Sequence, residues 1–409
     1  MYKEIGFSEC DIMDGFFDSL KEDYPGFESW FEGKSRSGAT AFVSKDEDGK
    51  VEAFVYVKDE ECEAVGNLPA EPRMKIGTIK ISPGSEGTRL GEGGIGLALW
   101  KWQRSPLDQI YLTVFPKQEK LIGLIERYGF VWKGDKGGER VYLKDKRELD
   151  YSDSDIPWLK SFPYLDPDFK RGVYIPIYAG FHDNMFAYSE LSNTEQRTDP
   201  LPVANGVMKV YIATPYEHID YRPKDVALVY RVAESETNRT YLSVVTSFCT
   251  VTGVEWFKKD GIVLDGKTFE DFVDSVGNKT VYGDDELSKS FKKRNVCTIT
   301  LLYNGYFGEG RNVNHGWLKS KGFFKDHPYK IILNPDQVRS ILKEGGIDEG
   351  FAFIHKSRAC REYSQRDQEI RVQEDQMQVS CSALDYLLHC AGEDGRRRGA
   401  HHPCDRGNS

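Results

Sequence analysis

The chain has 409 residues, 39% hydrophobic and 29% charged, a length and composition that suit two globular domains with extensions. No run of 18 consecutive apolar residues occurs, which argues against a helical membrane span, and the start MYKEIGFSECDIMDG lacks the basic-then-apolar order of a secretory leader, so a cytoplasmic protein is expected. The net charge of -10 arises in residues 1–204, with 36 acidic against 26 basic residues, and such a domain does not hold a phosphate backbone by bulk charge.

In residues 1–150, DIMDGFFDSLKEDY and FESWFEG have helical apolar spacing. TAFVSKDEDGKVEAFVYVKD reads as two strands around the Asp48-Gly49 turn. MKIGTIKIS alternates as a strand, GIGLALWKWQRS reads as a helix, QIYLTVF as a strand and KQEKLIGLIERYG as an amphipathic helix. FVWKG and ERVYLKD close the series as strands, giving a mixed sheet flanked by helices. Residues 151–204 form a Pro- and aromatic-rich connector. Within it Val173, Ile175 and Ile177 alternate, and Tyr174, Tyr178 and Phe181 offer area to bury between domains.

Residues 205–350 carry β-branched and aromatic runs, KVYIAT, VALVYRV, TYLSVVTSFCTVTGVEWF and CTITLLYNGYF. The helix-like pieces TFEDFVDSV and NPDQVRSILKE accompany them, so a small β-barrel with accessory helices is expected. Residues 351–409 have little apolar periodicity and read as a disordered or non-native tail. Cys381, His389, Cys390, His401, His402 and Cys404 lie there, but without the close ligand pairs of a zinc site, so no metal is expected. The eight cysteines form no C-x-x-C pair, a pattern of free thiols rather than a disulfide framework.

The stretch ISPGSEGTRLGEGGIGLALW, residues 81–100, carries the phosphate-binding question. Gly91, Gly93 and Gly96 spell G-x-G-x-x-G, but eight residues separate Gly91 from the strand end at Ser82. The acidic residue that binds ribose after the next strand is also missing. No Gly-Lys-Ser/Thr follows, so a Walker A loop is excluded as well. The alternative register puts successive N–H groups of residues 87–92 into a helix N-terminus, an anion cradle strengthened by the helix dipole. Arg89 adds a phosphate-binding charge. Gly93, Gly94 and Gly96 then open the helix, each costing about 1 kcal/mol of helix propensity; close packing is the reason offered for them.

In this register residues 25–145 resemble the GNAT superfamily of acyl-CoA N-acyltransferases. The carriers are Ile81 to Pro83, the Gly87 to Gly91 turn opening a helix, and the helix ending ERYGF at Phe130. The family's loop is usually Arg/Gln-x-x-Gly-x-Gly/Ala; Glu86 and Arg89 depart from it. The resemblance implies acetyl-CoA or another acyl-CoA as donor and no metal. Pantetheine would pair with Ile79, Lys80 and Ile81, and the pyrophosphate would lie on Gly87, Thr88, Arg89, Leu90, Gly91 and Glu92, with Gln118 nearby. The family's acid, a tyrosine, falls at Ile125 here; Tyr128, at i+3, is the substitute, and Glu92 is a candidate base.

Residues 205–350 resemble the PUA-like group, which includes ASCH and EVE barrels that bind RNA or modified bases. The carriers are KVYIATPYEHIDYRPKDVALVYRV and YLSVVTSFCTVTGVEW. The resemblance implies base contacts from Tyr211, Thr214, Tyr216, Tyr230, Ser247 and Trp256, with His315 and Trp317 as weaker candidates. The basic run Lys292, Lys293, Arg294 would meet a nucleic-acid backbone. Taken together, the expectation is an α+β protein that acylates an amine presented on RNA or DNA. Aminoacyl-tRNA, the substrate of toxin-type acyltransferases that pair with an antitoxin protein, fits this description. The alternatives are an acyltransferase for small-molecule or protein amines, and a non-enzymatic binder of modified bases.

Overall fold

The computed structural model describes residues 1–151, 158–189, 201–217, 219–234 and 239–354. The cysteines and histidines from Cys381 onward lie outside the described residues. The compact unit spans Met1–Ile354.

Seven strands form the first sheet: β1 (Lys3–Gly6), β2 (Thr40–Lys45), β3 (Val51–Val65), β4 (Leu68–Ile81), β5 (Gln109–Val114), β6 (Val131–Lys136) and β7 (Glu139–Asp145). Their order is β1-β2-β3-β4-β5-β7-β6, and only β4 and β5 run parallel. The Asp48-Gly49 turn joins β2 to β3 as expected, with Gly49 at φ 81°. Strand alternation divides the side chains between two faces. On one face, Phe54 and Tyr56 join Phe7, Phe17, Phe27 and Phe31 in an aromatic cluster with α1 (Asp18–Asp23) and α2 (Phe27–Arg36). On the other, Val55, Ile76, Ile110 and Leu112 pack with α3 (Leu90–Gln103) and α4 (Glu119–Arg127).

The second sheet is built from β8 (Gly172–Tyr178), β9 (Met208–Ala213), β10 (Val226–Val232), β11 (Val244–Lys259), β12 (Ile262–Val263), β13 (Val296–Tyr306), β14 (Val313–Asn314) and β15 (Ile332–Leu333). Its order is β15-β8-β10-β11-β13-β9, with β12 and β14 on β11. Two sequence expectations change here. The Val173–Ile177 alternation belongs to β8, a full member of this sheet paired in parallel with β10. Among the described residues the sheet is also open rather than a closed barrel. Between β8 and β9, Pro176 has no N–H to continue a ladder, and side chains span the gap: the Tyr211 hydroxyl donates to the Pro176 carbonyl at 2.9 Å.

Helix α3 lies between the two sheets. A Cβ on Gly94 would sit 2.7 Å from the Tyr2 hydroxyl and 2.9 Å from Val55. A Cβ on Gly93 would sit 2.6 Å from the Asn205 carbonyl, and one on Gly96 2.5 Å from Val207. Gly93 therefore admits neighbouring backbone, and Gly94 and Gly96 admit side chains, against one helix. Farther along, the Trp100 indole donates to the Asn304 carbonyl at 3.0 Å, and Gln103 donates to the Pro163 carbonyl at 3.0 Å. Glycine at 93 costs helix propensity, but alanine there meets backbone. Gly93→Ala is expected to destabilise by about 1–3 kcal/mol through overpacking. Gly123→Ala on α4, where nothing lies within 4 Å, is expected to stabilise by about 0.5–1 kcal/mol. Urea denaturation of both variants checks the contrast.

Candidate functional site

The first site starts where β4 and β5 part. Their pairing comprises only Met74 with Ile110 and Lys75 with Tyr111, so the edge of β4 from Ile76 to Ile81 has no β5 partner. A bulge at Gly77 shifts the register with β3, where Tyr56 pairs with Thr78 and Val57 with Ile76. Ile79, Lys80 and Ile81 are half-buried along this free edge. Lys80 turns away from it, its ammonium donating to the Phe16 carbonyl and the Ser19 hydroxyl.

The glycine loop follows. Gly84 and Gly87 take φ values of 90° and 86°, and Arg89 takes φ 61° as the residue before α3. Thr88 braces the turn, donating from Oγ1 to the Ser85 carbonyl at 2.6 Å and accepting the Leu90 N–H at 3.4 Å. The N–H groups of Arg89, Gly91 and Glu92 have no acceptor among the described residues, and those of Gly91 and Glu92 belong to the unpaired first turn of α3. The loop's carbonyls are tied to the second half of the chain. Asn278 Nδ2 donates to the Gly87 carbonyl at 2.7 Å, and Asn205 Nδ2 to the Thr88 carbonyl at 3.0 Å.

Charged residues predicted for this loop have other partners. Arg89 is 8% exposed at its side chain and forks onto Glu92 at 2.7–3.0 Å. Its guanidinium packs so closely on Gly206 that a Cβ there would lie 2.1 Å from Cζ. Glu92 also accepts the Met208 N–H at 2.7 Å. The pair is thus directed into the junction with the second sheet, where the guanidinium Nη1 is buried without a hydrogen-bond partner among the described residues. Tyr128 is buried at the end of α4, edge-on to Phe162. Burial, then the Glu92 charge, pushes its hydroxyl well above the usual range. Ile125 is fully buried, and Gln118 caps α4 in solvent.

The other opening of the fork carries charges of both signs. Lys117 pairs with Asp23 at 2.6 Å, the Tyr24 hydroxyl donates to Glu139 at 2.7 Å, and the Tyr24 ring lies 5.5 Å from Phe115. Burial lowers the Lys80 amine, opposed by the charges of Asp18, Asp23 and Glu22.

A second site is a cavity of about 450 Å³ in the gap between β8 and β9. Tyr211, Thr214 and Tyr230 line it, together with His315, Phe324, Tyr282, Tyr329 and His327. The Tyr230 hydroxyl meets His315 Nδ1 at 3.0 Å, and the Tyr211 and Tyr329 hydroxyls touch. The other candidates lie elsewhere. Tyr216 is fully exposed, and Trp256 is half-buried with Lys259 over its ring. Trp317 packs on Phe323. Ser247 is buried in an internal chain that runs from Arg231 through Asp183, His182 and Thr246 to Ser247 and Tyr303. Lys292, Lys293 and Arg294 are exposed and outside the cavity lining, with Arg294 paired to Asp260 at 2.8 Å. Among the lining residues that sequence reasoning missed, Tyr282 and Tyr329 sit in the segments TVYGDD and DHPYK, which carry no strand periodicity to mark them.

Among the described residues no group of three His, Cys, Asp or Glu is placed to hold a metal, and no helix is long and apolar enough to cross a membrane.

No family model matches the chain, and no curated protein matches it. Solved structures resemble parts of it. A mutant of the ZmASCH protein from Zymomonas mobilis is 10% identical, over 42% of this chain and 93% of that one, with a TM-score of 0.27. The PaiA N-acetyltransferase from Thermoplasma acidophilum, in complex with coenzyme A, is 14% identical over 36% and 99%, with a TM-score of 0.26. A GNAT superfamily phosphinothricin acetyltransferase from Sinorhizobium meliloti, in complex with acetyl-CoA, is 12% identical over 36% and 87%, with a TM-score of 0.28. At such identities and TM-scores the functional reading rests on the chain's own geometry.

Glu92 is the acceptor for both Arg89 and the Met208 N–H, so Glu92→Ala strands a buried guanidinium. A loss of about 3 kcal/mol is expected, with partial recovery in the Arg89→Met, Glu92→Ala double variant. Chemical denaturation of the two proteins measures it.

Proposed function

We propose that the chain is an acyl-CoA-dependent N-acyltransferase. The observation that carries the reading is the fork. β4 and β5 separate after Lys75 and Tyr111, and β4 then leads into a loop and helix start with unpaired N–H groups at Arg89, Gly91 and Glu92. A free strand edge suits the amides of a pantetheine arm, and a helix N-terminus suits a pyrophosphate. Acetyl-CoA fits this donor set through backbone groups of residues 79–81 and 87–92, and the loop needs no side-chain cation. The chemistry is attack of an amine on a thioester. It depends on positioning the two reactants and on an N–H directed at the carbonyl oxygen.

The aromatic cavity of the second sheet supports a finer reading, in which the amine is carried on or near nucleic acid and a base occupies the cavity. Aminoacyl-tRNA is one such carrier, and an antitoxin protein would be a partner in that setting. The cavity lining also supports a rival, a base-binding protein whose first sheet transfers nothing. Buried Ile125 at the family's acid position is the observation that favours the rival.

Calorimetry with acetyl-CoA separates them: binding that free coenzyme A competes away is expected, and no heat at millimolar acetyl-CoA overturns the enzyme reading. Incubation with labelled acetyl-CoA, followed by mass spectrometry of RNA, DNA, protein and small amines, identifies the acceptor. Label in the nucleic-acid fraction is expected; label confined to protein or small amines assigns the second sheet a scaffolding role.

A further inference from the structure

On the sheet face opposite α3, a cluster that neither motif marks sits at the fork itself. Tyr111 of β5 and Lys75 of β4 are the last pair before the strands part. Glu60 of β3 joins them: the Tyr111 hydroxyl donates to its carboxylate, Lys58 meets it at 2.7 Å and Lys75 at 3.7 Å. Lys75 Nζ also lies 5.4 Å from the Tyr111 ring centroid. The Glu60 side chain is 11% exposed and that of Lys75 21%, while Tyr111 is 1% exposed, so water reaches the cluster at the carboxylate and the lysine. The bulge at Gly77 is two residues, roughly 7 Å, farther along β4.

Resting on the acyltransferase reading, we propose that Glu60 and Tyr111 are the proton-transfer pair of the reaction. In the step, the amine nitrogen bonds to the thioester carbon and the carbon–sulfur bond breaks. The proton leaving nitrogen passes to Glu60. Tyr111 gives its proton to the departing sulfur and recovers one from Glu60 along their hydrogen bond. The products are an amide and a thiol, with no proton gained or lost. This arrangement supplies an acid although Ile125 occupies the family's position; Tyr111 is as buried as Tyr128, but its hydroxyl donates to a carboxylate that water reaches.

The surroundings set the protonation states. Burial alone would raise the Glu60 carboxyl, but Lys58, Tyr111 and Lys75 outweigh it and hold it below the ordinary range. Burial, then the Glu60 hydrogen bond, raises the Tyr111 hydroxyl, with Glu63 adding to this and Arg73 opposing it. Burial lowers Lys75, with Glu60 opposing, then Lys58 and Lys136 lowering it further and Glu139 raising it. Glu60 is therefore an anion and Tyr111 a neutral acid across neutral pH. Protonation of Glu60 below its lowered pKa removes the acceptor, so the rate falls on the acid side.

The test uses the full chain with acetyl-CoA as donor and methylamine as acceptor probe, reading thiol release and, separately, acetyl-CoA binding. Glu60→Gln is expected to lower kcat about 100-fold, to leave acetyl-CoA affinity unchanged, and to abolish the acid limb of the pH profile. Glu60→Asp should restore part of the rate. Adding Tyr111→Phe to Glu60→Gln should cost little more, because the two act as one unit. A kcat within about threefold of wild type in Glu60→Gln, with its acid limb retained, overturns the assignment of the pair. Wild-type protein that neither binds acetyl-CoA nor releases thiol overturns the acyltransferase reading, and the pair with it.

Discussion

At Gly93 the backbone of α3 passes so close to the Asn205 carbonyl that an added Cβ would lie 2.6 Å from it, and one position later Gly94 meets Tyr2 and Val55. A helix with backbone-close neighbours on both sides has no solvent face for most of its length. This explains why Ile95, Leu97, Ala98, Leu99, Trp100 and Trp102 are all buried and why the helix lacks an amphipathic pattern. The same contacts join the two sheets through one core, in which Val55 and Ile110 share a cluster with Val229 and Leu301.

That packing also fixes what the loop before α3 has to offer a ligand. Arg89 and Glu92 face the second sheet and neutralise each other there, and Asn205 and Asn278 hold the Thr88 and Gly87 carbonyls. What is left is backbone: the N–H groups of Arg89, Gly91 and Glu92, and the β4 edge. The second sheet is therefore a structural support of the loop. Asn278 on the loop and Thr280 and Tyr282 in the cavity lining belong to one short segment, which links the two sites physically.

Strand and helix identities were legible where alternation or helical spacing was strong, as in the Asp48-Gly49 hairpin, β9 to β11, β13 and the helix Pro335–Glu344 with its Asn334 cap. The strand before the glycine loop and the helix after it were legible from the alternation of MKIGTIKIS and from GIGLALWKWQRS. The direction of Arg89 was not, because it depends on Gly206 and Met208, more than a hundred residues away in the chain. The cluster at the fork was not legible, because Lys58 and Glu60 of β3 meet Tyr111, 51 residues on in β5, through a sheet pairing that alternation does not reveal. The open second sheet was missed because periodicity reports faces, whereas closure depends on the two end strands and on Pro176.

Hydrogen exchange of backbone amides with and without acetyl-CoA tests the central claim most directly, since the ligand is expected to engage backbone N–H groups rather than side chains. Slowed exchange confined to residues 79–81 and 87–92 is the predicted result. Unchanged exchange there at saturating acetyl-CoA, or protection appearing only around Tyr211, Tyr282 and Tyr329, would contradict it.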